Sequence, residues 1–207
     1  MARIEMVIYD LDGVLVYSRD ANAAFYNHLL AHFGRPALTP EQLEAVQALT
    51  ARQAVDLLFA GDPRREEAQV FQLTVDNTPF LPLLRLEPHV RETLGRLRSG
   101  RRTAIATNRG KSLPLVLAHL EVAGLFDLTV SSLEVSRPKP HPRCLHLILE
   151  RFGITPRQAV YLGDAQVDRE TAHRAGVPFG AYKNPGLAAD FHLDDHRGIF
   201  DILEGMA

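Results

Sequence analysis

Asp10 and Asp12 stand two residues apart in DLDG, directly after the apolar run IEMVIY at 4–9. Asp164 and Asp168 follow a second apolar run, AVYLG at 159–163, and Thr107 and Asn108 end a third, TAIAT at 103–107. Lys139 lies in the loop RPKPHP, between Pro138 and Pro140. Three or four carboxylates brought to one place repel one another strongly unless a divalent cation sits among them. Hard oxygen ligands of this kind suit Mg²⁺. A lysine beside them completes a site for a phosphoryl group.

Whether these residues meet depends on the elements that carry them. Short apolar strands are expected at 4–9, 103–107, 128–132, 159–163 and 177–182, with helices at about 88–99, 112–123, 142–152 and 166–175. Strands alternating with helices indicate a parallel sheet covered on both faces. Right-handed crossovers then give a doubly wound, Rossmann-like α/β sheet, whose ligands bind at the strands' C-terminal ends. All the residues above fall at such ends or in the adjoining loops. Between the first strand and the rest lies a different pattern. Helices are expected at 19–34, where Phe25, Leu29 and Phe33 recur every four positions, and over about 40–60 and 64–81. Prolines 79, 82 and 88 mark the return. The expected organisation is an α/β core of residues 1–14 and 86–207, with a small helical insertion at 15–85.

Composition sets outer bounds. The chain has 207 residues, 46% of them apolar, which suffices for a packed core. A net charge of −2 gives no electrostatic reason to expect nucleic acid or anionic lipid as a partner. The single cysteine, Cys144, reads as a buried small hydrophobe and excludes an intrachain disulfide. No stretch approaches the ~20 apolar residues of a membrane span, so a cytoplasmic protein, monomer or homodimer, is expected. Of the 23 basic residues only Lys111, Lys139 and Lys183 are lysines, which singles out Lys139 as the lysine at the site.

In order and spacing, DLDGVL, IATN, RPKP and GDAQVD match the four motifs of the haloacid dehalogenase superfamily. The chain resembles its phosphoglycolate-phosphatase-like and β-phosphoglucomutase-like branch throughout, and the insertion at 15–85 resembles that superfamily's helical cap. The resemblance implies a Mg²⁺-dependent phosphatase acting on a small phosphorylated metabolite. Asp10 would be the nucleophile that forms an aspartyl-phosphate, and Asp12 the leaving-group acid and later base. Asp10, the Asp12 carbonyl, Asp164 and, through water, Asp168 would hold the metal. Thr107 and Asn108 would bind phosphoryl oxygens, with Lys139 neutralising charge. Arg52, in the segment LTARQ at 49–53, would reach the substrate from the cap. Tyr17 departs from the family, where an acidic residue often precedes the serine matching Ser18.

Other readings are weighed against this one. Asn108–Ser112, NRGKS, imitates the end of a phosphate-binding P-loop, but that motif needs glycine at 105, where Ile105 stands. Ser112 reads instead as a helix N-cap. The resemblance argues against carbon dehalogenation, whose enzymes lack an aspartate at position 12. It also argues against phosphonoacetaldehyde hydrolysis, which needs a cap lysine, because 15–85 contains none. A sugar phosphomutase shares every core motif and stays open. A non-catalytic phosphoacceptor needs neither a lid nor a leaving-group acid.

Overall fold

The computed structural model describes residues 3–206. Its central strand, β1 (Met6–Tyr9), is buried along its whole length. It pairs in parallel with β4 (Arg102–Ala106) on one side and β6 (Ala159–Gly163) on the other. With β5 (Leu128–Val130), β7 (Phe179–Tyr182) and β8 (Phe191–Leu193), the sheet runs β5-β4-β1-β6-β7-β8, and every pairing in it is parallel.

The period of two along each strand sorts its side chains into two cores. Val7 and Tyr9 of β1, Ile105 of β4 and Val160 and Leu162 of β6 face one side. There they meet α5 (Val90–Leu97), α6 (Leu113–His119) and α9 (Ile199–Gly205). Met6 and Ile8, Ala104 and Ala106, and Ala159 and Tyr161 face the other, against α7 (Arg143–Phe152) and α8 (Gln166–Ala175). This is the expected doubly wound sheet. Because the chain moves outward from β1 first to β4 and β5 and then to β6, β7 and β8, the crevice that binds ligands opens at the C-terminal end of β1.

The inserted segment forms α1 (Arg19–His32), α2 (Pro40–Val46), α3 (Ala51–Leu58) and α4 (Arg65–Thr74). These helices enclose an apolar cluster of their own, including Tyr26, Leu29, Phe33, Val55 and Phe59. The helix expected over 40–60 is two helices. Thr50 closes a capping box with Gln53 and starts α3, an arrangement that satisfies two free donors and fixes a new helix start. The helix expected over 64–81 stops at Thr74, and a 3₁₀ turn at Thr78–Leu83 holds Pro79 and Pro82. A two-stranded ribbon, β2 (Val16–Tyr17) against β3 (Arg85–Leu86), ties the two ends of the insertion together. Here Tyr17 lies under the Arg85 guanidinium and donates to Asp20, so the residue that departs from the resembled pattern is held by contacts within and beside the ribbon.

Two C-terminal elements, β8 and α9, are absent from the sequence-based expectation. Gly180 explains how β8 packs: a Cβ there would lie 2.3 Å from the Phe191 ring. Among the described residues no helix is long and apolar enough to cross a membrane.

Candidate active site

The strand ends bring the expected residues together. Asp10 continues the ladder beyond β1, its amide donating to Leu162, and it is 7% exposed. Lys139, 3% exposed, places Nζ 2.8 Å from Asp10 Oδ1 and 2.6 Å from Asp168 Oδ1. The Asp10 contact is a buried ion pair, and beyond that shared ammonium Oδ1 meets no hydrogen-bond donor among the described residues. Burial works against the charge on Lys139, but Asp10 and Asp168 more than reverse this and hold the ammonium protonated.

One carboxylate oxygen each from Asp10, Asp164 and Asp168 lies within 4.8 Å of the others. Burial raises the Asp10 carboxyl to about 7, with Lys139 opposing and Asp168 and Asp12 adding repulsion. Burial and the charges of Asp168 and Asp10 raise Asp164 to about 8. A single lysine therefore does not balance the cluster. A buried carboxylate oxygen with only a shared ammonium against it, among mutually repelling hard ligands, fits a divalent cation. The cradle is cut close: Gly13 has φ +81°, and a Cβ there would come within 2.1 Å of Asp164 Oδ2. A Cβ on Gly163 would lie 2.3 Å from that of Asp168.

Asp168 is more committed than its sequence role suggested. Its Oδ1 accepts from Lys139 and the Tyr161 hydroxyl, and Oδ2 accepts from the Ala165 amide. These bonds make it the anchor of Lys139 as well as the rear wall of the acidic cluster.

Thr107 and Asn108 both sit at the end of β4, buried. The Asn108 side chain binds the Lys139 loop in both directions, accepting from its amide at 3.0 Å and donating to its carbonyl at 3.3 Å. It also donates to Ala48 of the insertion at 3.0 Å. Asp12 turns away from the acidic cluster. Both its oxygens are gripped by Arg109, Nε at 3.0 Å and Nη2 at 2.5 Å. Burial works against its charge, yet that guanidinium holds its carboxyl below the usual range.

Sequence reasoning missed Arg109, Asn22 and Tyr161. Arg109 was absorbed into the false P-loop, and Tyr161 into an apolar strand pattern. Ser112 does begin α6, but its hydroxyl makes no capping bond; it accepts from Arg109 Nη1 at 3.1 Å. Arg52 is exposed on α3, and its side chain makes no hydrogen bond or ion pair among the described residues. Cys144 is buried against α7's neighbours, and burial raises its thiol to about 11, as befits an inert core residue.

Over residues 7–182 the sequence matches the family of haloacid dehalogenase-like hydrolases. It is 28% identical to a phosphorylated carbohydrates phosphatase of Thermotoga maritima over 179 residues, covering 84% of this chain and 82% of that one. It is 39% identical to the phosphoglycolate phosphatase of Escherichia coli (strain K12) over 130 residues. That match covers 58% of this chain and about half, 51%, of the relative. A crystal structure of a HAD-superfamily hydrolase, subfamily IA, variant 1, from Geobacter sulfurreducens PCA superposes with a TM-score of 0.79 at 38% identity, covering 97% of this chain and 96% of that one.

Proposed function

This chain belongs to the haloacid dehalogenase-like hydrolase family as a phosphoric monoester hydrolase, and on that premise we propose that it cleaves a small phosphorylated metabolite through an aspartyl-phosphate on Asp10. The observation that carries this reading is the position of Asp10. It ends the central strand, paired with Lys139 and grouped with Asp164 and Asp168.

In the proposed first step an Asp10 oxygen bonds to phosphorus and the bond from phosphorus to the ester oxygen breaks. Asp12, charged while Arg109 holds it, first takes up a proton from solvent and then gives it to the departing oxygen. In the second step Asp12 takes a proton from water as that water attacks phosphorus, releasing phosphate and restoring the Asp10 carboxylate. Splitting the hydrolysis this way replaces one very high barrier with two lower ones. Lys139 offsets charge on Asp10 and on the phosphoryl group. The Thr107 hydroxyl and the Asn108 amide bind phosphoryl oxygens, and the Asn108 side chain fixes the lysine loop. Residues 15–85 act as the lid over the core of 1–14 and 86–207, with Arg52 as an outer contact for the substrate. Asp10, the Asp12 carbonyl, Asp164 and, through water, Asp168 would hold Mg²⁺, which when bound neutralises the approach of an anionic ester to a carboxylate.

Metal removal tests this reading. Hydrolysis of a generic phosphate ester is expected to vanish in excess chelator and return with Mg²⁺. Binding requires deprotonated ligands, and Asp10 and Asp164 have raised pKa values. Mg²⁺ should therefore raise the melting temperature more at pH 8 than at pH 5, where both carboxyls keep protons that the metal must displace. Full activity in chelator contradicts the metal role.

A further inference from the structure

The Tyr161 hydroxyl lies within the site but takes no part in the steps above. Tyr161 belongs to β6, in register with Ile8 of β1 and Phe179 of β7, and it is wholly buried. Its hydroxyl is 3.0 Å from Lys139 Nζ, 2.8 Å from Asp168 Oδ1 and 3.1 Å from the carbonyl of Ala106, the last residue of β4. An ammonium can only donate. The hydroxyl therefore accepts from Lys139 and gives its own proton to Asp168 or Ala106. Burial and the charges of Asp168 and Asp10 keep that phenol protonated.

Lys139 needs such a partner. It rises from a loop and not from the sheet, and a lysine carries its charge on a flexible four-carbon stem. Its ammonium has two carboxylates to choose between, Asp168 Oδ1 at 2.6 Å and Asp10 Oδ1 at 2.8 Å. Only Asp10 carries the proposed chemistry. An ammonium that closed on Asp168 would leave the nucleophile and the phosphoryl group without their counter-charge. The hydroxyl adds a third, uncharged oxygen, set by a strand next to β1. Three oxygens around one ammonium fix where its charge stands.

We propose that Tyr161 is a positioning residue: its hydroxyl holds the Lys139 ammonium between Asp168 and Asp10, so that the positive charge stays against Asp10 while the phosphoryl group is transferred. The hydroxyl touches neither the ester nor phosphorus and acts only through the lysine. Its effect falls on the chemical step and not on substrate affinity, because the charge that Lys139 offsets develops in the transition state. This inference rests on the phosphatase reading above.

Tyr161→Phe keeps the ring and removes only the hydroxyl. With Mg²⁺ and nitrophenyl phosphate, kcat should fall by about 10–100-fold, the usual loss when an outer partner of a site residue is removed, while KM stays near wild type. Lys139→Met removes the group through which the hydroxyl acts, so adding Tyr161→Phe to it should lower kcat no further. A Tyr161→Phe protein that is merely less stable, with wild-type kcat, overturns the inference. So does a loss that multiplies with that of Lys139→Met. Nitrogen NMR of the lysine ammonium groups reads the same contact without turnover, and three lysines keep the spectrum simple. Wild type should show a slowly exchanging ammonium that cross-relaxes with the Tyr161 ring and is missing from Lys139→Met. In Tyr161→Phe its protons should exchange faster. Should a variant fail to fold, the wild-type spectrum decides: that ammonium supports the inference, and its absence overturns it. A slow ammonium that Tyr161→Phe releases, in a protein that turns over no phosphate ester, upholds Tyr161 and removes the phosphatase. Turnover with an ammonium indifferent to Tyr161→Phe does the reverse.

Discussion

Asp10→Asn is expected to be inactive towards every phosphate ester, whereas Asp12→Asn should keep a remnant that depends on the leaving group. The two residues lie on one turn but face different partners, Asp10 towards Lys139 and the acidic cluster, Asp12 towards Arg109. Replacing Asp10 removes the attacking oxygen's charge, so no covalent intermediate forms at a useful rate. Replacing Asp12 leaves the nucleophile and the backbone carbonyl in place and removes the proton donor, a loss of typically ~10²–10⁴-fold. That loss should be smallest for nitrophenyl phosphate, whose leaving group hardly needs a proton. Steady-state rates on a nitrophenyl and an alkyl ester distinguish the cases. Near-normal turnover by Asp10→Asn on any ester contradicts the covalent route. Equal losses by Asp12→Asn on both esters remove Asp12 as the leaving-group acid.

Lys139→Met carries the second large effect, on stability and on rate together. The lysine is fully enclosed and serves Asp10 at 2.8 Å and Asp168 at 2.6 Å. Removing one partner of a buried ion pair leaves the other charge uncompensated and costs roughly 3–5 kcal/mol. The loss should grow as pH rises. Without the ammonium the buried carboxyls bind protons more tightly folded than unfolded, so stability falls as pH climbs above the unfolded carboxylate value. Urea unfolding at pH 5 and pH 8, without metal, should show the larger deficit at pH 8. Turnover should fall by about 10²–10³, the effect of removing one fixed electrostatic group from such a site. A variant that melts like wild type and turns over at a tenth of its rate or better contradicts the role given to Lys139.

The core of the fold and site was legible because its signals are local. Met6–Tyr9 and Ala159–Gly163 are short apolar runs ended by aspartate and glycine, and the parallel sheet follows from their alternation with helices. Asp10, Lys139, Asp164 and Asp168 could be placed together because Asp10 and Asp164 directly follow strands, Asp168 lies in the first turn of the next helix and Lys139 lies in the loop that leads into α7. What was not legible depends on pairing across the chain. Arg109 gains its meaning only from Asp12 and Asn22, which are 97 and 87 positions away. Tyr161 alternates as a core residue would, and only the fold shows its hydroxyl on Asp168. β8 is three residues long and too short to show a period. The break at Thr50 was written in the sequence as Thr50–Gln53, but the surrounding helical composition outweighed it.

Chemical trapping of the intermediate tests the central claim most directly. Wild-type protein turning over a phosphorus-labelled ester with Mg²⁺ is quenched in acid, and half of the sample is reduced with borohydride before peptide mass analysis. An acyl phosphate on Asp10 predicts base-labile label on the peptide containing DLDG, and conversion of Asp10 to homoserine in the reduced sample. Rapid turnover with no label on the protein, or with label fixed on a residue other than Asp10, contradicts the account.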